Sequence, residues 1–324
     1  MIQGGKGLIF LEWSNIILIC RNAFSVSKCF FIFVSGGSSG AGTITHILIY
    51  MKRYELLILA FFMACFCAFA QTPKTIRLTN DVPYRDGSAS CVLDIADPQD
   101  FGSPGLRPAL VIIHGGGWSM GSKNVDVYRG LMIDYALQGY LVINVEYRLQ
   151  QEGGFQGCIE DVKCAVRWLK AHSSELRVDP DRIGAYGHSA GAHLAMMLAV
   201  SAGNKDLEGD GPWKEYSSSV TCIAAGSPPT QIGRPIPMHA EHPEWWPIGY
   251  YADAAKAAPQ FLLQGTEDPV VKAELTEDYV NKMRAGGAKV DFLKVEGDHD
   301  IAYSDALNIT KPAMDRFFES YLKK

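Results

Sequence analysis

Short, continuous apolar runs separated by helical patterns are the feature that most constrains the fold of this chain. Residues 109–113 read Ala-Leu-Val-Ile-Ile, and the run contains no polar side chain that could face solvent. A strand of this kind is buried on both faces, as in a parallel sheet that helices cover on each side. The alternation of such strands with helices predicts an α/β protein with a mostly parallel, doubly wound sheet.

Eight strands and five helices are expected after residue 70. The strands are predicted at 75–78, 91–95, 109–114, 141–146, 183–187, 220–225, 261–264 and 290–295. The helices are predicted at 125–137, 156–172, 189–199, 273–285 and 312–322. Residues 226–259 are irregular and rich in Pro, Trp and Tyr. Because no internal repeat or low-complexity linker interrupts the pattern, we interpret 71–324 as one catalytic domain.

Residues 51–70 have the composition of a secretory signal peptide. Lys52 and Arg53 precede an apolar run at 56–70, and Ala68 and Ala70 provide small residues before Gln71. This pattern predicts cleavage near Ala70 and a secreted or periplasmic protein. The run is shorter than the ~20 residues that span a bilayer, so no stable membrane span is expected in the mature chain. A retained signal anchor or a lipidated form stays open as an alternative.

Residues 1–50 precede this segment and have no coherent hydrophobic period. They contain apolar patches at 16–20 and 30–34 and a Gly/Ser stretch at 35–42. We interpret them as a non-native upstream extension, translated from a mis-chosen start codon. The alternative is a membrane-embedded N-terminal hairpin.

Charge and cysteine usage exclude some classes of partner. The net charge is -5 and no Lys/Arg cluster is present, so nucleic acid, which requires phosphate-neutralising cations, is not an expected partner. No metal is expected, because no zinc-ligand spacing occurs and the His239/His242 pair has no third ligand nearby in the sequence. No cofactor is expected either. Export would permit disulfides, but no spacing requires one among Cys91, Cys158, Cys164 and Cys222.

A G-x-S-x-G sequence at residues 187–191 lies between a predicted strand and a predicted helix. In that context Ser189 is a candidate nucleophile, because a sharp strand-to-helix turn forces its side chain outward. The N–H of Ala190, at the start of the helix, could face a developing oxyanion. The pattern also arises by chance, so the assignment depends on the flanking strand and helix.

Residues 114–118, His-Gly-Gly-Gly-Trp, end another apolar strand. Successive glycines leave the backbone uncovered, and the N–H groups of Gly116 and Gly117 are candidate oxyanion donors together with Ala190. The alternative is an ordinary Gly-rich turn. His114 is expected to brace the loop by hydrogen bonding.

A serine nucleophile needs a base and an acid, which here would follow it in the order Ser, Asp/Glu, His. Asp268 lies in a turn after the strand at 261–264 and is the preferred acid, with adjacent Glu267 as its competitor. His299 follows the last strand and is the candidate base. His188 and His193 are expected to have structural roles.

Together these residues resemble the α/β-hydrolase superfamily, in particular secreted esterases and lipases with HGGGW and GHSAG motifs that include bifunctional acetylxylan and feruloyl esterases. The resemblance covers nearly all of 108–322 and implies an α/β-hydrolase fold. It also implies a triad of Ser189, Asp268 and His299, with oxyanion donors at Gly116, Gly117 and Ala190. Gln264 departs from the pattern, since many relatives have His before the following Gly; this departure is not expected to touch the triad.

The expected function is therefore hydrolysis of carboxylic esters through an acyl-enzyme, on a small-molecule or polysaccharide-linked substrate such as a short acyl or feruloyl ester of a carbohydrate. Aromatic residues expected to contact substrate are Trp118, Trp245, Trp246 and Tyr250, although they could equally pack the loop. Two other functions stay open. One is amide or formamide hydrolysis of the kynurenine formamidase type, and the other is a binding module that has lost catalysis.

Overall fold

The computed structural model describes residues 9–13, 16–20, 29–33, 75–99, 105–231, 241–302 and 305–324. It contains two compact units, Met1–Gln71 and Thr72–Lys324. In the first unit, β1 (Ile9–Trp13), β2 (Ile16–Cys20) and β3 (Cys29–Phe33) pair antiparallel in that order. The interpretation of 1–50 as an upstream extension predicts no element there, whereas its alternative predicts a hairpin. The predicted signal peptide at 51–70 lies outside the described residues.

The second unit contains an eight-stranded sheet, as predicted, with the order β11-β10-β9-β8-β6-β7-β5-β4. The pairings of β5 with β4 and with β7 are antiparallel, and every other pairing in this sheet is parallel. The strands are β4 (Ile76–Pro83), β5 (Val92–Pro98), β6 (Arg107–Ile113), β7 (Leu141–Val145), β8 (Val178–His188), β9 (Cys222–Gly226), β10 (Gln260–Gly265) and β11 (Val290–Val295).

Among the described residues, five α-helices connect or follow these strands: α1 (Asp126–Leu137), α2 (Gln150–Ala171), α3 (Ala190–Val200), α4 (Ala273–Ala285) and α5 (Leu307–Leu322). Short 3-10 helices occur at Lys205–Leu207, Pro243–Trp245 and Pro247–Lys256. Helix α2 begins six residues before its predicted start because a first turn is joined to it across a kink at Gly154, where φ is +73° and ψ is 169°. None of the described helices combines the length and apolar composition that crossing a membrane requires.

Strand β6 shows why both faces of the sheet need helices. Its side chains alternate between two cores, so that Val111 and Ile113 pack with α2, α3 and α4, whereas Leu110 and Ile112 pack with α1 and α5. All four side chains are fully buried. The predicted doubly wound α/β architecture is confirmed, and it aligns the carboxyl ends of the parallel strands along one edge, where ligand sites of open α/β sheets form.

Candidate active site

Ser189 occupies a strained turn between β8 and α3. Its φ of +55° and ψ of -121° are outside the regions that residues with side chains ordinarily adopt. The Ser189 N–H donates a 2.8 Å hydrogen bond to the carbonyl of Gly226, at the end of neighbouring β9. Such strain persists only when the surroundings enforce it, and here the turn presents the Ser189 hydroxyl at the carboxyl edge of the sheet.

The glycines flanking Ser189 allow the turn to close. A Cβ atom on Gly187 would lie 2.1 Å from the Gly191 carbonyl oxygen, and one on Gly191 would lie 2.2 Å from the oxygen of Ile113. Both separations are well below van der Waals contact. The spacing of the G-x-S-x-G sequence thus reflects a close approach of helix α3 to strands β6 and β8.

The structure brings Ser189, His299 and Asp268 together. His299 Nε2 lies 2.9 Å from Ser189 Oγ, and His299 Nδ1 lies 2.8 Å from Asp268 Oδ2. These side chains come from the turn after β8, the loop after β11 and the loop after β10. The geometry can move a proton from the Ser189 hydroxyl to an imidazole that a carboxylate orients.

The Asp268 carboxylate is held by the backbone as well as by His299. Its Oδ1 accepts 2.8 Å hydrogen bonds from the N–H groups of Val270 and Val271. Burial by itself would raise the pKa of Asp268, but the hydrogen bonds from His299 and the backbone outweigh it and lower that pKa. The neighbouring Glu267 is exposed. Of the two acids considered from sequence, Asp268 is therefore the one paired with His299.

Two side chains hold the loop that carries His299. The His299 carbonyl accepts hydrogen bonds from His188 Nε2 at 2.8 Å and from Ser227 Oγ at 2.9 Å. Burial lowers the pKa of His188 to about 4. His188 is consequently neutral at physiological pH and acts as a buried hydrogen-bond donor, consistent with the structural role expected for it.

The glycine-rich loop after β6 lies against the elbow. The φ angles of Gly116 and Gly117 are +121° and +59°, and a Cβ on Gly115 would meet the His188 carbonyl oxygen at 2.8 Å. Among the described residues, no acceptor binds the amide groups of Gly116, Gly117 or Ala190. These amides are the groups that the sequence predicts as oxyanion donors.

His114 braces this loop, as expected. Its Nδ1 lies 2.8 Å from the Gly115 carbonyl, its Nε2 lies 2.9 Å from Glu146 Oε1, and its ring stacks on Tyr147 at 4.3 Å. Glu146 also accepts hydrogen bonds from Ser122 Oγ and the Lys123 N–H. Burial opposes ionisation of Glu146, but its hydrogen bond and charge interaction with His114 prevail and lower its pKa.

Two of the aromatic residues expected to contact substrate are buried in the protein. Trp118 is 3% exposed and Trp246 is fully buried. They pack against each other and against Phe155, and Trp118 Nε1 donates a 3.2 Å hydrogen bond to His193 Nδ1. Both rings therefore have the packing role that the sequence leaves open as the alternative to substrate contact. His193 has the structural role predicted for it.

Tyr250 is hydrogen bonded within the protein. Its hydroxyl donates to the Glu244 carbonyl at 2.9 Å and accepts from Asn204 Nδ2 at 3.0 Å. Its contact with substrate stays a prediction.

Trp245 is the remaining member of that aromatic set and is partly exposed. Its ring stacks on His242 at 3.8 Å and faces Phe155 at 5.8 Å, and its carbonyl lies 2.8 Å from His193 Nε2. Because His193 is in the first turn of α3, Trp245 lies on the side of the elbow. Its contact with substrate stays a prediction.

Gln264 is a site residue whose contact sequence reasoning missed. Its Nε2 lies 3.0 Å from Asp268 Oδ2, which contradicts the expectation that a glutamine at this position would not touch the triad. The sequence feature that could have indicated this contact is the position of Gln264 directly after the apolar run 261–263. A polar amide buried there must find hydrogen-bond partners, and the nearest acid along the chain is in the following turn.

The four cysteines of the second unit, Cys91, Cys158, Cys164 and Cys222, are buried and unpaired. Within the part of the chain that the structure describes, no group of three or more His, Cys, Asp and Glu side chains could hold a metal ion. His239 lies outside that part, and His242 Nδ1 pairs with Glu244 at 2.8 Å.

The strand order, the antiparallel β5 and the serine at the β8–α3 elbow are those of the α/β-hydrolase fold. Residues 93–244 match the model of the BD-FAE family. Over 246 residues, the chain is 28% identical to esterase LipQ of Mycobacterium tuberculosis, covering 68% of this chain and 56% of that protein. Esterase LipC of the same organism is 25% identical over 240 residues, covering 67% and 58%. The chain thus spans just over half the length of these relatives.

Two solved structures show the same fold. A truncated carbohydrate esterase from gut microbiota superposes with a TM-score of 0.66 at 23% identity, covering 79% of this chain and 99% of that one. Thermogutta terrifontis esterase 2, phosphorylated by paraoxon, superposes with a TM-score of 0.64 at 24% identity, covering 77% and 94%. The curated relatives named as esterases support the prediction of a carboxylic ester hydrolase.

Proposed function

We propose that this protein is a serine hydrolase that cleaves carboxylic esters through an acyl-enzyme. The observation that carries the proposal is the continuous hydrogen-bonded chain from Ser189 Oγ through His299 to Asp268, with separations of 2.9 and 2.8 Å. Relatives named as esterases support the same reaction class.

In the proposed mechanism, Ser189 Oγ attacks the ester carbonyl carbon while its proton passes to His299 Nε2. The unbonded amides of Gly116, Gly117 and Ala190 are proposed to stabilise the oxyanion. The tetrahedral intermediate expels the alcohol, which takes the proton from His299. Water then attacks the acyl-enzyme with His299 again as base, releasing the carboxylic acid and restoring Ser189. Asp268 holds the imidazole in the tautomer with hydrogen on Nδ1 and stabilises its protonated form.

Replacement of the nucleophile tests this proposal. Ser189→Ala is expected to lower turnover of p-nitrophenyl acetate by at least about 1000-fold, because the acyl-enzyme can no longer form. Ser217→Ala, at an exposed serine outside the site, is the matched control and should retain wild-type turnover. Covalent labelling by paraoxon, followed by peptide mass spectrometry, should place the phosphoryl group on Ser189. Full turnover in Ser189→Ala would refute the proposal.

We further propose that the substrate is a short acyl or feruloyl ester on a carbohydrate. The match of residues 93–244 to the BD-FAE family and the likeness to a protein described as a carbohydrate esterase support this class. Trp245, which is partly exposed and whose carbonyl lies 2.8 Å from His193 Nε2 in the first turn of α3, is proposed to contact the sugar or the aromatic acyl group.

A substrate panel distinguishes the alternatives. Acetylated xylan and methyl ferulate should be hydrolysed with a higher kcat/KM than simple acyl esters that release an alcohol of the same kind. Preferential cleavage of N-formylkynurenine would instead assign an amide or formamide hydrolase. Binding of the carbohydrate without turnover of any ester would assign a binding module.

Export through the segment 51–70 is proposed from its sequence pattern. N-terminal sequencing of secreted protein is expected to begin at Gln71. Secreted material that begins at Met1 or Ile2 would contradict this proposal.

A further inference from the structure

We propose that Gln264 is a positioning residue that holds Asp268 in the orientation required for pairing with His299. This inference rests on the proposed function, because it assigns a role within the same site. Gln264 is the penultimate residue of β10, and its side chain is fully buried. A buried amide has to satisfy its donors and acceptor within the protein, and the groups that it contacts here define its role.

The orientation of the Gln264 amide follows from its neighbours. Thr276 Oγ1 donates a 2.9 Å hydrogen bond to Gln264 Oε1. Three oxygen acceptors surround Gln264 Nε2. They are Asp268 Oδ2 at 3.0 Å, the Val271 carbonyl at 3.0 Å and the Gly265 carbonyl at 3.3 Å. Exchanging the amide nitrogen and oxygen would place an acceptor against all three. The contacts therefore assign the nitrogen to the Asp268 side.

The donors to Asp268 are divided between its two oxygens. The backbone N–H groups of Val270 and Val271 bind Oδ1, whereas His299 and Gln264 bind Oδ2. Apart from His299 itself, Gln264 thus supplies the only donor, within the described structure, on the oxygen that faces the imidazole. It resists rotation of the carboxylate, and it withdraws negative charge from the oxygen that His299 contacts.

Helix α4 supports this arrangement. Thr276 is in its first half and is fully buried, so the Gln264 amide is held between the helix and the loop that carries Asp268. The group of α4 that contacts Gln264 is the Thr276 hydroxyl, which carries no charge. The other titratable groups near Asp268 and His299 are His188, whose ring centroid is 5.1 Å from that of His299, and the exposed Glu267, Asp298 and Asp300 of the adjoining turns.

The same strand offers a matched control. Gln260 is also fully buried in β10, and its Oε1 accepts a 2.9 Å hydrogen bond from Tyr279 of α4. It precedes Gln264 by four residues, about 13 Å along a strand, and lies at the opposite end from the catalytic groups. Gln260→Met and Gln264→Met each replace a buried amide by a side chain of similar volume. Only the second change removes a donor to Asp268.

The experiment measures kcat, KM and the pH profile of kcat/KM for both variants with p-nitrophenyl acetate, and their Tm. Gln264→Met is expected to lower kcat by about 10- to 100-fold with little change in KM, as for loss of a hydrogen bond to a charged group. The acid limb of its profile should move to higher pH, because a carboxylate with one donor fewer favours the protonated imidazole. Gln260→Met should retain the wild-type kcat and profile.

The proposal is overturned if Gln264→Met and Gln260→Met have the same kcat and the same pH profile. If Gln264→Met does not fold, Thr276→Val provides the test, since it removes the hydroxyl that orients the amide and leaves the amide in place. It should lower kcat by roughly 3- to 10-fold and move the acid limb in the same direction; an unchanged kcat and profile overturn the proposal. Failure of the proposed function is a separate result, recognised by full turnover in Ser189→Ala.

Discussion

Asp268 and Glu267 are adjacent carboxylic acids, yet their surroundings separate their roles. Asp268 is 7% exposed and accepts hydrogen bonds from His299, Gln264 and two backbone amides, whereas Glu267 is exposed. A buried carboxylate is tolerated only when it is hydrogen bonded or paired, and these donors provide that compensation. The difference between the two acids therefore arises from where the turn places each side chain.

Asp268→Asn is expected to lower kcat for ester hydrolysis by about 1000- to 10,000-fold, because the amide cannot stabilise the imidazolium and favours the wrong tautomer of His299. Steady-state kinetics with p-nitrophenyl acetate provides the measurement. Glu267→Gln is the control for loss of a neighbouring acid and should retain turnover within about twofold. Equal losses in the two variants would mean that Asp268 has no special role.

Among the structural elements, the glycine-rich loop after β6 illustrates how backbone geometry limits sequence. Gly116 has a φ of +121°, and a Cβ there would lie 2.1 Å from the carbonyl oxygen of Met120. That carbonyl is part of the turn in which the Met120 N–H donates to the Gly116 oxygen at 3.0 Å. Gly116 is thus required for both the φ angle and the close approach.

Gly116→Ala is expected to destabilise the protein by more than about 2 kcal/mol and to reduce ester turnover, since the loop must shift to relieve the contact. Gly87→Ala separates the two causes. Gly87 has a φ of +94°, but a Cβ added there would have no atom within 4 Å, so its substitution tests the φ angle alone and should cost about 1–2 kcal/mol. Urea unfolding gives both values; a Gly116→Ala variant as stable and active as Gly87→Ala would contradict the expectation.

For the whole molecule, buried histidines connect stability to pH. Burial lowers the pKa of both His188 and His193 to about 4, whereas an unfolded histidine has a pKa of about 6.5. The unfolded chain therefore binds more protons than the folded protein between pH 6.5 and 4. Their stabilising contribution is fully present above pH 6.5 and is lost as the pH falls towards 4. Asp268 acts in the same direction at lower pH, because its lowered pKa makes protonation unfavourable in the folded state.

The free energy of unfolding should accordingly fall by up to about 3 kcal/mol per buried histidine between pH 7 and pH 4. His193→Gln retains an acceptor for Trp118 and a donor for the Trp245 carbonyl, and it should remove about half of this histidine-linked loss. Urea unfolding at several pH values measures the effect. Ser217→Ala, which removes no titratable group, is the control and should leave the pH dependence as in the wild type; an equal change in both variants would contradict the assignment.

The sequence was sufficient to predict the eight-stranded sheet and its helices, because the period of apolar residues is a local property. Strand β10 and helix α4 lie close to the predicted 261–264 and 273–285. The start of α2 is predicted six residues too late. An extra turn is joined to the helix across Gly154, and the positive φ of that residue cannot be inferred from apolar periodicity. The five-residue strands β2 and β3 are visible in the sequence only as apolar patches, for short runs do not distinguish strand from helix.

The sequence by itself determined which segments form buried strands. It also determined that the turn with the nucleophile and the glycine-rich turn follow two of those strands, because hydrophobic periodicity and the conformational freedom of glycine are local properties of the sequence. Tertiary structure alone decided which of two neighbouring acids meets His299, that Trp118 and Trp246 are interior, and that Gln264 contacts Asp268. These outcomes depend on distances between side chains far apart along the chain. Such distances are set only when several elements pack against one another.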